Sequence, residues 1–558
     1  MTPSGNNNYG SNSNQNNGRD QNNNFDGTFN VNNYNVPSES VLEKLTHHIA
    51  TNALHNAKGR ANRHACLKGT RGGFIEKLGK WIEDPEGNGH VLWVKAGAGV
   101  GKTAIAQTLC EKYCKTENSE GLLAAAHFFS RDDASRNSLV SFVPTIAYQL
   151  ARSPTLGPHL ADAIDAAIRS DPSIMGADWE DQFECLICEP CKRINPELWK
   201  TLPRLVVIDG LDECMDVLEP QTMNQRRNTW ERDGQRRLLS MIQNSLSTPS
   251  PLPLRFLIFS RPEHIISSFF RATSIPNLVE LDMRELRSEA NSDIHLYLCY
   301  EFARLVKERS DAGLDMSWPG EKAIQDLTRI SDGHFVYVVT AVKYVMDNDP
   351  SAHPQDRLDI ILQLNPSKYP DLDPLDQLYL HILQPFVDIR NQLLLPLLQL
   401  IITPVPRNVN SMRYLLAPYE IYRSRRILAE LLNQPDSRHT SIILSRLRSV
   451  LYVPDDECSE AVSVLHASFS DFLFDPRRSH DFHVKRIDNF HYYDKSFHSL
   501  LHLLKSIILH HRNDEEGIGP REPLAIEAWA FNTWDFLLDI IKFGSIASGL
   551  GTETLHAV

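Results

Sequence analysis

Residues 96–103 read A-G-A-G-V-G-K-T and follow a short apolar run, V-L-W-V at 91–94. Glycines allow positive φ, so that successive backbone N–H groups can point at one anion. An apolar strand, a glycine-rich loop, Lys-Thr and then a helix is the order in which a phosphate-binding P-loop is built. Ala96 replaces the first glycine of the usual G-x-x-x-x-G-K-[ST] pattern, and we expect φ < 0 there. A glycine-rich turn without a ligand is the alternative.

The loop residues predict contacts with the phosphates of ATP or ADP. Lys102 would lie against the β- and γ-phosphates, and the Thr103 hydroxyl would bind Mg²⁺. The helix that follows would direct its positive end at the phosphates. The predicted nucleotide-binding set is Gly97, Ala98, Gly99, Val100, Gly101, Lys102, Thr103 and Ala104.

A second apolar run, L-V-V-I at 205–208, ends in Asp209. This pattern is typical of a buried parallel strand that delivers a carboxylate to the edge where ligands bind in open α/β sheets. Asp209 is therefore a candidate Mg²⁺ ligand opposite Thr103. Asp212 and Glu213 follow, and one of them would polarise an attacking water. A strand end with a solvated acidic turn is the alternative.

A third strand is predicted over 255–259 (R-F-L-I-F) and ends in S-R-P-E at 260–263. Arg261 would lie at the same sheet edge, where a guanidinium can contact the γ-phosphate. The alternative is that Arg261 pairs with Glu263 or with a neighbouring helix.

Composition restricts the class of protein. The 558 residues carry a formal net charge of −13 and no basic run, which argues against nucleic-acid binding through phosphate contacts. The longest apolar stretch, 393–405, contains two prolines and is too short to span a bilayer, so we expect a buried helix. Nine cysteines fit a reducing compartment, and we expect a cytoplasmic protein. Cys185, Cys188 and Cys191 lack a fourth ligand, and we expect them to be helix residues rather than a metal site.

Changes in pattern along the chain divide it into six predicted parts. We expect a disordered Asn-rich segment (1–38), N-terminal helices (39–87), an α/β P-loop NTPase domain with a parallel sheet (88–275), a helical domain (276–370), a winged-helix-like domain (371–485) and a C-terminal helical segment (486–558). One amphipathic helix is predicted over 39–67 and a second around 73–81. Further helices are predicted at 285–308, 319–330, 335–346, 376–385 and 424–434, and short strands at 450–453 and 462–465.

The order of these motifs resembles fungal NACHT-domain proteins, which are signal-transduction ATPases related to animal and plant immune receptors. The resemblance covers roughly residues 66–485. It depends on C-L-K-G-T-R at 66–71, the P-loop, F-F-S-R at 128–131, I-A-Y-Q-L at 146–150, D-G-L-D-E-C at 209–214 and S-R-P-E at 260–263. D-P-L-D-Q-L-Y at 373–379 and L-H-A-S-F-S-D-F-L at 465–473 resemble later family blocks.

The resemblance implies a role for His466. In related families a histidine at this point touches the β-phosphate of bound ADP and holds the protein closed. The Asp that follows it there is Ala467 here, and a histidine that only packs a strand against a helix is the alternative. A Gly-x-Pro segment that packs on adenine in relatives corresponds to Gly333-His334-Phe335, where Phe335 offers a ring for stacking.

Two functions remain open at this stage. The first is a nucleotide-controlled switch with slow, Mg²⁺-dependent hydrolysis, in which His466 and Arg261 distinguish ADP from ATP and a protonated His466 would make its contact charge-assisted. It would form a homo-oligomer on activation. The second is an assembly scaffold in which the nucleotide is structural and the N-terminal segment recruits an effector protein. A transporter ATPase or helicase is disfavoured, because the chain has no L-S-G-G-Q segment, second P-loop or basic channel composition.

Overall fold

We describe the chain in a computed structural model. The structure describes residues 45–57, 65–84, 89–114, 121–133, 135–215, 230–272, 275, 277–309, 312–347, 353–364, 372–402, 423–425, 428–429, 432, 437–455 and 461–485. The segments predicted over 1–38 and 486–558 lie outside these residues.

A five-stranded parallel sheet forms the first half of the described chain. Its strands are β1 (Val91–Lys95), β2 (Leu123–Phe128), β3 (Leu205–Asp209), β4 (Arg255–Ser260) and β5 (Val279–Asp282), in the spatial order β2-β3-β4-β1-β5. Lys95 pairs with Ser260, and Asp209 pairs with Phe259. Because all pairs are parallel, the ends of β1, β3 and β4 meet at one edge.

Alternation along the strands buries both faces of the sheet. Val91 and Trp93 of β1 face one hydrophobic core, while Leu92 and Val94 face another. All four are at most 2% exposed. Successive side chains of a strand point to opposite faces of the sheet, and here all of them are apolar. Both faces must therefore be covered, which requires helices on both sides of the sheet. The helices of this part are α1 (Gly72–Glu83), α2 (Lys102–Tyr113), α3 (Leu139–Arg152), α4 (Gly157–Ser170), α5 (Trp179–Phe183), α6 (Glu189–Lys192), α7 (Trp230–Leu246) and α8 (His264–Ala272).

The second half is mainly helical and surrounds a core of its own. It contains α9 (Arg287–Glu308), α10 (Glu321–Ser331), α11 (Phe335–Val345), α12 (Pro354–Leu362), α13 (Pro374–Leu383), α14 (Leu395–Ile402), α15 (Ser437–Arg446), α16 (Ala467–Phe474) and α17 (Pro476–Ser479). An antiparallel pair, β6 (Leu451–Tyr452) and β7 (Ser463–Val464), lies between α15 and α16. One cluster joins Phe302, Val338, Tyr379, Phe469 and Phe472, so residues of 276–370 and 371–485 share one hydrophobic core.

The predicted fold class is confirmed: a parallel sheet with flanking helices precedes a helix-rich region with a short hairpin. The sheet extends past the predicted boundary at 275, because β5 pairs with β1. The continuous helix predicted over 39–67 is wrong: Leu45 and Thr46 are helical, but turns and a short 3-10 helix at Thr51–Ala53 follow them. The buried helix expected within 393–405 is α14, and most of the helix predicted over 424–434 lies outside the described residues.

Two smaller expectations concern membranes and cysteines. In the described part of the chain, no single helix is both long and apolar enough to cross a membrane, although Pro374–Ile389 and Gln392–Ile402 reach that length together across a bend of 102°. Cys188 and Cys191 are fully buried on the helical stretch from Glu184 to Lys192. Across the described ranges, no three His, Cys, Asp or Glu residues form a group that could hold a metal ion.

Candidate functional site

The loop between β1 and α2 has the backbone of a phosphate cradle. Gly99 and Gly101 have φ of +73° and +95°. Ala96 does not have a positive φ, as predicted for an alanine at the first glycine position of the pattern. An added Cβ at Gly97 or Gly101 would meet nothing within 4 Å. Gly101 precedes α2 without a side-chain cap, so space and backbone N–H donors lie together at the start of this helix.

Lys102 lies folded against this loop. Its Nζ donates to the carbonyl oxygens of Gly97 at 2.8 Å and Ala96 at 3.3 Å. Both acceptors are neutral backbone carbonyl oxygens, so neither hydrogen bond is an ion pair. Burial lowers the pKa of Lys102, while Asp212 opposes that shift. The Lys102 ammonium therefore lies within the loop, where it can contact an anion as a point charge with three donors.

The carboxylates after β3 occupy different environments. Asp209 is 3% exposed and ends β3. Asp212 is 2% exposed; its Oδ1 accepts the Arg261 backbone N–H at 2.9 Å and its Oδ2 lies 3.1 Å from Arg261 Nε. Glu213 accepts the Arg131 backbone N–H at 3.1 Å. Burial, together with the nearby Asp212, raises the pKa of Glu213 to about 7. Glu213 therefore exchanges a proton near neutral pH, as a general base requires, whereas Asp212 is occupied by Arg261.

Arg261 joins the sheet edge to the C-terminal region. Its Nη1 donates to Asp471 Oδ2 of α16 at 2.7 Å while its Nε faces Asp212. Burial alone would lower the pKa of Arg261, but Asp471 and Asp212 raise it above its usual value. Arg131, which follows β2, lies 3.5 Å from Asp471 Oδ1 and donates to the Asp212 carbonyl at 3.2 Å. Two arginines from two strand ends thus share one carboxylate from α16. The alternative pairing predicted for Arg261, with a neighbouring helix, is the one observed.

A second contact to α16 surrounds Asp132. Ser470 Oγ donates to Asp132 Oδ2 at 3.1 Å, and Arg423 Nη1 donates to the Asp132 carbonyl at 2.6 Å. Burial raises the pKa of Asp132 to about 6 although Arg423 and Ser470 oppose it. Asp132 is 6% exposed, so this contact excludes most water from the same interface.

His466 lies beside the phosphate loop as the N-cap of α16. Its Nδ1 accepts the Ser468 backbone N–H at 3.1 Å and lies 2.7 Å from Ser468 Oγ, which in turn lies 2.8 Å from the Tyr379 hydroxyl. A backbone N–H only donates, so the neutral ring carries its proton on Nε2. Burial, with Lys102 and Arg261 nearby, lowers the pKa of His466 to about 4. The protonated form needed for a charge-assisted contact is therefore minor at neutral pH.

The start of α11 also touches the loop. The Val336 N–H donates to the Gly99 carbonyl at 3.0 Å. A Cβ on Gly99 would overlap the Val336 side chain and would lie 4.0 Å from His466 Cε1. Gly99 is therefore required both by its positive φ and by the close approach of two elements from the helical region.

Arg71 makes a further link on the other side of the loop. Its Nη2 donates to the Val100 carbonyl at 2.7 Å, and its backbone N–H donates to Asp293 of α9 at 3.0 Å. The guanidinium also lies 4.7 Å from the centre of the Phe335 ring. Phe335, which the sequence offers for base stacking, is thus covered on one face by Arg71 and approached by Tyr297 at 6.1 Å.

The residues present fit an Mg²⁺-nucleotide. The open cradle before α2 and Lys102, whose hydrogen bonds go to loop carbonyls, suit phosphate oxygens. Thr103 and Asp209 are oxygen donors on adjacent elements of the same sheet edge, and Mg²⁺ is commonly held by one or two protein groups together with substrate phosphates. Lys102, Asp209, Asp212, Glu213, Arg261 and His466, all named from the sequence, are brought to one region by the fold.

Several participants were missed by the sequence reasoning. Arg131 follows β2 as Arg261 follows β4, so the strand-end pattern alone was a usable signal. Asp471 lies one helical turn after Ala467 on α16, and its position in the L-H-A-S-F-S-D-F-L stretch was a weaker signal. Arg71 belongs to the C-L-K-G-T-R motif at 66–71, but no contact was predicted for it. Nothing local to Val336 distinguishes it from other residues at a helix start.

Comparison with known proteins adds a partial family match. Residues 74–261 match the sequence profile described as Nephrocystin 3, N-terminal. The chain has a P-loop NTPase-like fold. The match begins within α1 and ends at Arg261, so it spans the P-loop and the β3 carboxylates.

A solved structure from Aeropyrum pernix, titled as the ORC2 protein in ADPNP-ADP complexes, aligns with 13% identity over 80% of this chain and 97% of that one, with a TM-score of 0.32. That similarity is too low to support an argument about function. A search of curated proteins found no match.

Proposed function

We propose that the chain is a NACHT-type nucleotide switch that binds ATP or ADP with Mg²⁺ and whose helical region closes over the phosphate loop. The observation that carries the proposal is the shared position of Arg261. It directly follows β4 beside the phosphate loop and pairs with both Asp212 of the sheet domain and Asp471 of α16.

Arg261 gives the switch its means of reading the nucleotide. A guanidinium that contacts a γ-phosphate must loosen one of its present pairs, and Asp471 is the partner that belongs to the covering region. ADP lacks that phosphate, so Arg261 stays with Asp471. A ligand shifts the equilibrium only by its differential affinity for the two states, and a change from 1:99 to 99:1 needs about 5.5 kcal/mol.

His466 supports the closed state in a different way. The Ser468 N–H of α16 donates to His466 Nδ1, so the neutral ring carries its proton on Nε2. This nitrogen is a hydrogen-bond donor on the side of the ring away from Ser468. We assign it a neutral N–H contact to a phosphate oxygen, in place of the charged contact expected from the sequence. Val336 and His466 both lie next to Gly99 of the phosphate loop. Closure of the helical region therefore depends on the conformation of this loop.

Slow hydrolysis would reset the switch. Glu213, with its pKa near 7, is the better candidate to accept a proton from water, and Asp212 positions Arg261. Switch GTPases turn over at roughly 10⁻⁴ s⁻¹ without a catalytic arginine and at roughly 10⁻² s⁻¹ with one in the same chain, and we expect a rate between these values here. Assembly of several copies in the open state, and recruitment of an effector through residues 1–38, complete the proposal.

Calorimetry and small-angle scattering on the full chain test it together. ADP with Mg²⁺ should bind and keep the particle compact, whereas a non-hydrolysable ATP analogue should bind and increase the radius of gyration. Equal radii with both nucleotides bound would contradict the switch, and absence of binding by either nucleotide would contradict the site.

A further inference from the structure

A second cleft lies at the edge of the sheet opposite to the phosphate loop. It has a volume of about 100 Å³ and is lined by the last turn of α1, the turn before β3 and the first residue of β4. β4 runs from Arg255 in this cleft to Ser260 beside Lys95. The two sites are therefore at opposite ends of the same strand and share no residue.

Arg255 forms the floor of this cleft. Only 4% of its surface is exposed. Nε lies 3.3 Å from the Gly89 carbonyl oxygen, and Nη1 lies 3.3 and 3.2 Å from the carbonyl oxygens of Ile82 and Asp84. The guanidinium also lies 4.1 Å from the centre of the Trp81 ring. These contacts fix the plane of the guanidinium without neutralising its charge, because every acceptor is a carbonyl.

One donor atom of Arg255 is left over. Among the described residues, Nη2 is buried and has no hydrogen-bond acceptor. Capping the carboxyl end of α1 explains the bonds of Nη1, and Nε holds the carbonyl of Gly89 ahead of β1. Neither role uses Nη2. A buried donor without a partner is unfavourable, and more so when it is charged, so an acceptor for Nη2 would stabilise the fold.

The charge around Arg255 favours an anion as that acceptor. Burial and, to a smaller extent, the neighbouring Arg204 lower the pKa of Arg255 to about 10, while Asp84 opposes the shift. Glu83 also lines the cleft, but its carboxylate already accepts bonds from Lys112 and Tyr113. Two guanidinium groups thus approach one another in a partly closed space.

We propose that this cleft binds a small oxyanion of the size of orthophosphate, held by Arg255 Nη2 and the Arg204 guanidinium. Arginine is suited to such a ligand, because its planar donors match oxyanion geometry. The volume of about 100 Å³ is well above the roughly 10–15 Å³ that a single water needs on the same measure, so the cleft has room for orthophosphate. The proposal concerns a site separate from the P-loop and does not depend on the proposed switch.

Calorimetric titration with orthophosphate tests it in full-length protein that carries Lys102→Ala, so that the P-loop lysine does not contribute. We expect saturable binding at one site. Arg204→Ala, a half-buried position, should weaken the affinity at least tenfold. Lys80→Ala is the matched control, because Lys80 is a 74% exposed cation of α1 that does not line the cleft, and it should leave the affinity unchanged.

Arg255→Lys keeps the charge but removes Nη2, and it should also abolish binding. If that variant fails to fold, Arg204→Ala decides the question. Absence of binding up to tens of millimolar phosphate would overturn the proposal, as would equal affinities in the Arg204→Ala and Lys80→Ala proteins.

Discussion

Removal of the Asp471 carboxylate should loosen the helical region from the phosphate loop. Asp471→Ala abolishes the contact to Arg261 at 2.7 Å and the contact to Arg131 at 3.5 Å. Arg261 keeps Asp212 as a partner, so the substitution does not leave it unpaired in the sheet domain. The expected effect is therefore on closure rather than on the stability of the sheet.

The magnitude follows from exposure. The side chains of Asp471 and Arg261 are 20% and 21% exposed, between a surface pair worth about 0–1 kcal/mol and a buried pair whose disruption costs about 3–5 kcal/mol. A value of about 1–3 kcal/mol corresponds to a shift of roughly 5- to 150-fold in the closed–open equilibrium. If ADP leaves only from the open state, its dissociation rate should rise by the same factor.

Stopped-flow dissociation of a fluorescent ADP analogue measures this rate. Asp455→Ala is the matched control, because Asp455 pairs with Arg448 at 3.2 Å but is 95% exposed. A thermal melt should show that both variants remain folded. A dissociation rate for Asp471→Ala within twofold of the Asp455→Ala rate would refute the role of this pair in closure.

Three further predictions concern the same site. Lys102→Ala should abolish ADP binding in calorimetry, since it removes the only loop cation among the described P-loop residues 96–103; unchanged affinity would exclude the phosphate assignment. Glu213→Gln should spare nucleotide binding and lower the rate of phosphate release by about 10²- to 10⁴-fold. In the unsubstituted protein this rate should rise as the pH increases through about 7, where Glu213 loses its proton. A rate that does not change with pH would assign the general base to another residue. His466, with its folded pKa lowered to about 4, binds a proton in the unfolded chain at about 6.5. It therefore contributes stability above pH 6.5 that is lost as pH falls towards 4, about 3 kcal/mol at most. Denaturant titrations of His466→Gln should lack this decline, and an identical acid limb in both proteins would contradict the lowered pKa of His466.

Much of this molecule follows from local sequence. The apolar runs that end in Lys95, Asp209 and Ser260 give parallel strands whose carboxyl ends carry the site, because period and hydrophobicity act over a few residues. Gly99 and Gly101 have the positive φ that the loop pattern requires. The helix starts near 321, 335 and 374 were predicted to within a few residues for the same reason.

Other features are set by packing between distant segments. Whether residues 45–57 form a helix depends on what they pack against, and there the amphipathic pattern gave way to turns, with the Ala50 N–H bonded to Thr145 Oγ1 of α3. The fifth strand has only four residues, and it is stabilised by pairing with β1 rather than by its own composition.

The sequence by itself determined a parallel α/β sheet, a phosphate loop and the carboxylates and arginine that end its strands, because each depends on residues within one turn or one strand. Tertiary structure alone decided the partners of those residues. Arg261 meets Asp471 across 210 positions and Asp132 meets Ser470 across 338. Such pairs have no local signal, because they form only when the helical region folds back on the sheet. Burial at the same contact then sets the neutral state of His466 and the shifted pKa of Glu213.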